Sequence, residues 1–127
     1  MQAFLLVGAG GAIGAMSRYG LSVLVSRVWS ANFPLATLLA NIVGSCLMGL
    51  LIGVLARTTP AMQNEIRLFA AVGFLGGFTT FSSFSLDTIF LIERGALAQA
   101  MLYIGLSVVV CLLGLYLGLL ISRGGAA

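Results

Sequence analysis

A chain of 127 residues in which 61% are hydrophobic and only 7% charged, with a mean hydropathy of +1.18, lies far outside the range of soluble globular domains; lipid is its expected main solvent. The net charge of +3 comes from six arginines, with no lysine and no histidine, set against Glu65, Asp87 and Glu93. The arginines are scattered, which excludes a nucleic-acid-binding stripe, and without histidine, lysine, paired carboxylates or a nucleophile motif the chain is not expected to be an enzyme.

Four apolar runs, at about 4–28, 35–56, 68–92 and 96–121, each reach the roughly 20 residues needed to cross hydrocarbon. The predicted fold class is therefore an all-α membrane protein, a single transmembrane domain of four helices over residues 1–127. The runs leave no stretch for a soluble nucleotide-binding domain, so passive or gradient-driven transport is expected.

The first run has no basic segment before it and is too long for the apolar core of a signal peptide. Its Gly8-Ala9-Gly10-Gly11-Ala12-Ile13-Gly14 stretch has the wrong glycine register for a dinucleotide fingerprint, with no preceding strand and no acidic residue at the right distance. Gly10 and Gly14 stand four apart, as do Gly49 and Gly53, Gly73 and Gly77, and Gly114 and Gly118, so every span carries a small-xxx-small face where helix backbones can meet. Arg18 lies well inside the run; a membrane cation is costly, so its head is expected in an aqueous vestibule, where it attracts anions, or paired with a carboxylate.

In the second run Asn41 is the conspicuous polar residue. Its amide can donate to an anion, to a freed backbone group of another span, or to a neighbouring helix. Cys46 here and Cys111 in the fourth run lack the spacing of a metal site and read as small hydrophobes.

The third run carries the densest polar cluster. Thr79, Thr80, Ser82, Ser83, Ser85, Asp87 and Thr88 follow Gly76-Gly77 at a depth where a lipid-facing helix would be most apolar, so this helix must face protein or water. Gly76-Gly77 is the expected break in the helix, near its middle. A break frees backbone groups that cannot stay unpaired in a membrane, and carbonyls from Gly76 to Thr80 are suited to a structural cation or to re-pairing by Thr79, Thr80 and neighbouring helices. Phe81 and Phe84 share a helix face, with Phe78 continuing it. Interleaved with Ser82 and Ser83, their positive ring edges offer an anion weak, repeated contacts. In the fourth run Tyr103, Ser107 and Cys111 recur every four residues as a polar stripe.

With four spans, one side of the membrane carries Arg57, Arg67 and Arg123 and the other Arg27 and Arg94. So slight a bias fixes no orientation. The chain is expected to insert both ways up and pair as an antiparallel, dual-topology homodimer.

Gly14 to Arg18 in the first run, Asn41-Ile42-Val43-Gly44 in the second and Gly76-Gly77-Phe78-Thr79-Thr80-Phe81-Ser82-Ser83-Phe84-Ser85 in the third resemble the Fluc (CrcB) family of fluoride channels, and the likeness covers essentially the full chain. The resemblance implies a passive fluoride channel of the bacterial inner membrane, built as an antiparallel dimer with two pores and one central structural Na+ that is not transported. It implies that Gly76 and Thr79 hold the Na+ through backbone oxygens, that Phe81 and Phe84 turn ring edges to fluoride, that Asn41 donates to it, and that Tyr103 and Ser107 lie on its polar track. Asp87 stands where the family usually has glutamate, and Cys111 where it has serine. The alternative is a small dual-topology, proton-coupled exporter of the multidrug type, for which Asp87 would be the proton carrier.

Overall fold

The computed structural model describes residues 1–29, 33–58 and 61–124. Helix α1 spans Gln2–Val28 and α2 spans Leu35–Thr58, entered just after Pro34, whose ring suits the start of a helix. A short α3, Gln63–Ile66, runs directly into a π-helical stretch, Arg67–Leu75, and then into α4, Gly76–Phe78. Helix α5 covers Phe81–Glu93 and α6 covers Leu97–Ser122. Among the described residues, four helical stretches are long and apolar enough to cross a membrane: α1, α2, Gln63–Glu93 and α6. The protein is all-helical and multi-pass. The third stretch begins at Gln63, ahead of the apolar run that starts near 68, because Gln63, Asn64 and Glu65 extend it as a polar first turn.

The turn from α5 to α6 follows from one glycine. Gly95 takes φ +80, a left-handed conformation that costs it no Cβ clash, and lets its N–H reach Ile92 O (3.0 Å) and that of Ala96 reach Leu91 O (2.9 Å). These two bonds close the end of α5 and send α6 back beside it.

The bundle is assembled from two close helix pairs, α1 with the π-helical stretch and α4, and α2 with α6. Glycines set both seams. A Cβ on Gly10 or Gly14 would strike the backbone of Phe69 or Phe74, and one on Gly77 would lie 2.5 Å from Gly11 O. Across the other seam, Gly49 faces the Leu115 carbonyl and Gly118 faces Cys46 O. All four predicted glycine pairs thus lie at helix-helix contacts, most against backbone and Gly53 and Gly114 against the Ser122 and Cys46 side chains, where lipid offers no hydrophobic drive and packing holds the helices together. Elsewhere large apolar residues such as Leu112, Tyr116 and Ile121 point outward, as a membrane surface requires.

A hydrophobic core joins the α5–α6 end to α2. Leu38, Phe84, Leu91, Ala100 and Tyr103 are buried together there, with Phe33 and Ile42 packed against them. This cluster fixes the rotation of α5.

Gly76 and Gly77, where the sequence reading puts a break, are helical; Gly76 has φ −62 and ψ −36. The residues that leave the helix are Thr79 (φ −88, ψ 157) and Thr80 (φ −155, ψ 118), both extended. Two physical reasons account for the shift. Gly77 is small because it packs on α1, and threonine, β-branched and able to cap with its hydroxyl, fits extended backbone before a helix start.

Candidate functional site

The site grows outward from the extended step at Thr79-Thr80. Thr79 finishes the preceding helix with both its donors on one acceptor, its N–H (3.0 Å) and its hydroxyl (2.9 Å) reaching Leu75 O. Its methyl seats against Gly44 of α2, where a Cβ would collide with it. Thr80 starts α5: its hydroxyl accepts the N–H of Ser83 at 3.1 Å, an N-cap, and lies 3.1 Å from the Ser82 hydroxyl.

The backbone of Thr80 is satisfied from another helix. Its N–H donates to Asn41 Oδ1 at 2.8 Å, and its carbonyl accepts from Asn41 Nδ2 at 3.1 Å. One side-chain amide replaces a whole peptide partner, which in a membrane offsets a desolvation cost of several kcal/mol per bare group. Asn41 keeps a second N–H on Nδ2. The carbonyl of Gly77 is met by Arg18, whose Nε donates to it at 3.3 Å. The carbonyls of Gly76 and Thr79 fare differently. In a continuous helix they would take the amides of Thr80 and Ser83, which here go to Asn41 and to the Thr80 hydroxyl.

Beside this step opens a cavity of about 430 Å³ between α2, α5 and α6. Asn41, Thr79, Thr80, Phe81, Phe84 and Ser107, all singled out in the sequence, line it. Phe81 stands 77% exposed, whereas Phe84 is 9% exposed; their ring centroids are 5.3 Å apart at 48°. Ser107 Oγ is buried and has no hydrogen-bond partner, an exception among buried polar atoms.

Tyr103 is not part of this wall. It is fully buried behind Phe84, its ring 5.1 Å from that phenyl, and its hydroxyl donates to Asp87 Oδ2 at 3.2 Å. Phe78 likewise leaves the expected stripe and stacks on Phe74. Ser82 is exposed beside the Thr80 hydroxyl. Ser83 turns to the opposite side of α5, into a smaller cavity of about 190 Å³ that it shares with Arg18, Ser22, Thr37 and Asp87. Arg18 therefore serves two places at once, the helix-end carbonyl and a polar chamber.

Ser45 and Met48 complete the α2 wall, and Cys111 the α6 wall. The signal for the first two is spacing: Asn41, Ser45 and Met48 lie on one helix face, so whatever Asn41 meets they meet too. Among the described residues no group of three His, Cys, Asp or Glu side chains is placed to hold a metal ion. A hard cation here would rely on main-chain oxygens.

The profile of the family described as "CrcB-like protein, Camphor Resistance (CrcB)" matches residues 5–119. The chain is similar to "Fluoride-specific ion channel FluC" of Phenylobacterium zucineum, 50% identical over 123 residues, which is 97% of each chain. It is 51% identical over 118 residues to the protein of the same description from Agrobacterium fabrum, covering 93% of this chain and 94% of that one. A third, from Caulobacter sp. (strain K31), is 45% identical over 123 residues, 97% of this chain and 96% of the relative.

Proposed function

Since the chain belongs to the CrcB family, whose profile covers nearly all of it, we propose that it is a fluoride-specific ion channel that releases the anion from a bacterial cytoplasm down its electrochemical gradient. The observation that carries this reading is the cavity beside Thr79-Thr80. Its wall holds the Phe81 and Phe84 rings, the unpartnered Ser107 hydroxyl and a spare Asn41 N–H, and presents no ammonium or guanidinium to trap an anion. Ring edges and neutral donors replace water around a small halide without gripping it, the condition for conduction.

The extended step makes the third span a discontinuous membrane helix, and two copies in opposite orientation complete the channel in the bacterial inner membrane. Two observations support the antiparallel pair: Phe81, a residue of the anion wall, is left 77% exposed by a single chain, and the arginines favour neither side. The carbonyls of Gly76 and Thr79 suit a Na+ ion. They are hard oxygen donors released from helical pairing, and two chains would supply four of them. The cation, when bound, supplies positive charge that fixes those oxygens; the chain's own residues do the rest. Asn41 and Arg18 hold the backbone of the step, and Phe84, whose ring packs against Tyr103, lines the cavity.

The test is fluoride efflux from liposomes loaded with potassium fluoride, followed with a fluoride electrode after adding a potassium ionophore. Rapid efflux that needs the ionophore and no proton gradient is expected. Absence of efflux, or flux coupled to protons or carried by an organic cation, would overturn the channel and favour an exporter working through Asp87. Replacing external and internal Na+ with N-methylglucamine is expected to lower both flux and the thermal midpoint of the purified protein. An unchanged midpoint removes the structural cation.

A further inference from the structure

The cavity wall holds two sulfur atoms for which a fluoride path has no use. Met48 on α2 and Cys111 on α6 both line the same space of about 430 Å³, facing it from different helices. Cys111 is a free thiol. One turn before it on α6 stands Ser107, 7% exposed, whose hydroxyl is buried in this wall with no partner. The other free thiol, Cys46, is not among the lining residues; it lies in the α2–α6 seam, where a Cβ on Gly114 would approach its sulfur at 2.7 Å.

Hard and soft ligands sort differently. Fluoride is matched by ring edges and hydroxyl protons, whereas thiolate and thioether select soft, monovalent, closed-shell metal ions. A thiol, a thioether and an unpaired hydroxyl from two helices make a donor set of the second kind.

We propose that this cavity is also a binding site for a soft monovalent metal ion, Ag+ or Cu+, held by the Cys111 thiolate and the Met48 thioether with Ser107 as an oxygen contact, and that its occupancy blocks the anion path. The binding step exchanges a proton for the metal: the S–H bond of Cys111 breaks, an S–Ag bond forms, and the proton leaves to water, with no change in oxidation state. The bound pair of thiolate and cation is neutral overall, so it obstructs the cavity by its size and offers fluoride no stable partner. The blocking half of the proposal rests on the channel reading; the binding half does not.

The experiment uses purified full-length protein in chloride-free nitrate buffer, with silver nitrate as the probe, and reads silver stoichiometry by native mass spectrometry alongside fluoride efflux from liposomes. Wild type is expected to bind silver and lose its flux, with recovery on adding excess dithiothreitol. Cys46→Ser keeps both the binding at this site and the block. Cys111→Ser, compared with its own silver-free rate, loses the block and one silver per chain. Met48→Leu needs severalfold more silver for the same effect. Wild type that conducts undiminished in silver, or Cys111→Ser that is blocked as fully as wild type, overturns the proposal. If wild type shows no flux even without silver, the channel reading fails, while the mass difference between Cys111→Ser and Cys46→Ser still decides whether the metal site exists.

Discussion

Asn41→Ala removes both partners of the Thr80 backbone, and the cost follows from the geometry. The two bonds are well formed, at 2.8 Å to Oδ1 and 3.1 Å from Nδ2. A buried backbone group stripped of its partner costs about 1–3 kcal/mol. Thr80 borders a cavity that can admit water, which lowers the penalty, and inter-helix hydrogen bonds in membrane proteins average about 0.6 kcal/mol. The sum for two groups falls at about 2–3 kcal/mol, which for a chain of this size lowers the thermal midpoint by about 10 °C. The control is Ser85→Ala, whose hydroxyl donates at 3.0 Å to Phe81 O within its own helix and which is expected to cost less than about 0.5 kcal/mol. Midpoints come from tryptophan or dye fluorescence in detergent, with efflux measured on the same preparations. If Asn41→Ala melts within about 2 °C of wild type, Asn41 does not hold the step, and the account of why Thr80 can be extended inside a membrane is wrong.

Phe81 and Phe84 separate flux from stability. Phe81→Ile, at an exposed ring, is expected to leave the midpoint unchanged and abolish most efflux, whereas Phe84→Ile also costs about 1–2 kcal/mol through the lost Tyr103 contact; equal flux in Phe81→Ile and wild type would contradict the site. Gly14→Ala puts a methyl on the Phe74 carbonyl and is expected to cost about 3 kcal/mol or more and to collapse expression, while Gly8→Ala, with nothing within 4 Å, is neutral or slightly stabilising. Ser107→Ala removes a buried hydroxyl that has no partner, so the midpoint should hold or rise by about 1 kcal/mol equivalent while efflux falls. A destabilised Ser107→Ala with normal efflux would mean the hydroxyl serves structure.

Four spans could be read from hydropathy alone, since α1, α2 and α6 begin and end within about two residues of the apolar runs. Glycine spacing foretold where backbones touch, though the pairing of α1 with the third span and of α2 with α6 is a matter of three-dimensional fit that no single span encodes. The site divides the same way. Phe81, Phe84, Asn41 and Ser107 stand out because polar and aromatic residues are costly or conspicuous in a membrane helix, and they converge on one cavity. Tyr103 belongs to the same i, i+4 stripe as Ser107 yet ends behind Phe84, because α6 turns that residue into the core under α5. Periodicity gives the face of a helix and not the depth at which each residue meets its neighbours. Nor does glycine content say which residue unwinds. Gly77 is occupied in packing against Gly11, and the extended conformation falls to Thr79 and Thr80, whose hydroxyls close the ends they create.

If the cavity beside Thr79-Thr80 carries the anion, as proposed, carbonyl oxygens near it are a liability, because their negative ends repel the ion. In this chain the threat is met residue by residue. Asn41 takes the Thr80 carbonyl and Arg18 takes that of Gly77, each through a donor from another helix. The carbonyls of Gly76 and Thr79 lose their helical partners to Asn41 and to the Thr80 hydroxyl, and the proposed cation would neutralise them. The cavity is lined instead by the Phe81 and Phe84 rings, Asn41 and Ser107, residues whose ring edges, amide and hydroxyl carry positive ends. On the proposed path, anion preference would arise less from positive charge placed in the pore than from negative dipoles that are paired by other helices. On that logic Arg18→Lys, which keeps the charge but loses the Nε–H that reaches Gly77 O, should impair flux almost as much as Arg18→Gln. Full function in the lysine variant would show that charge alone suffices.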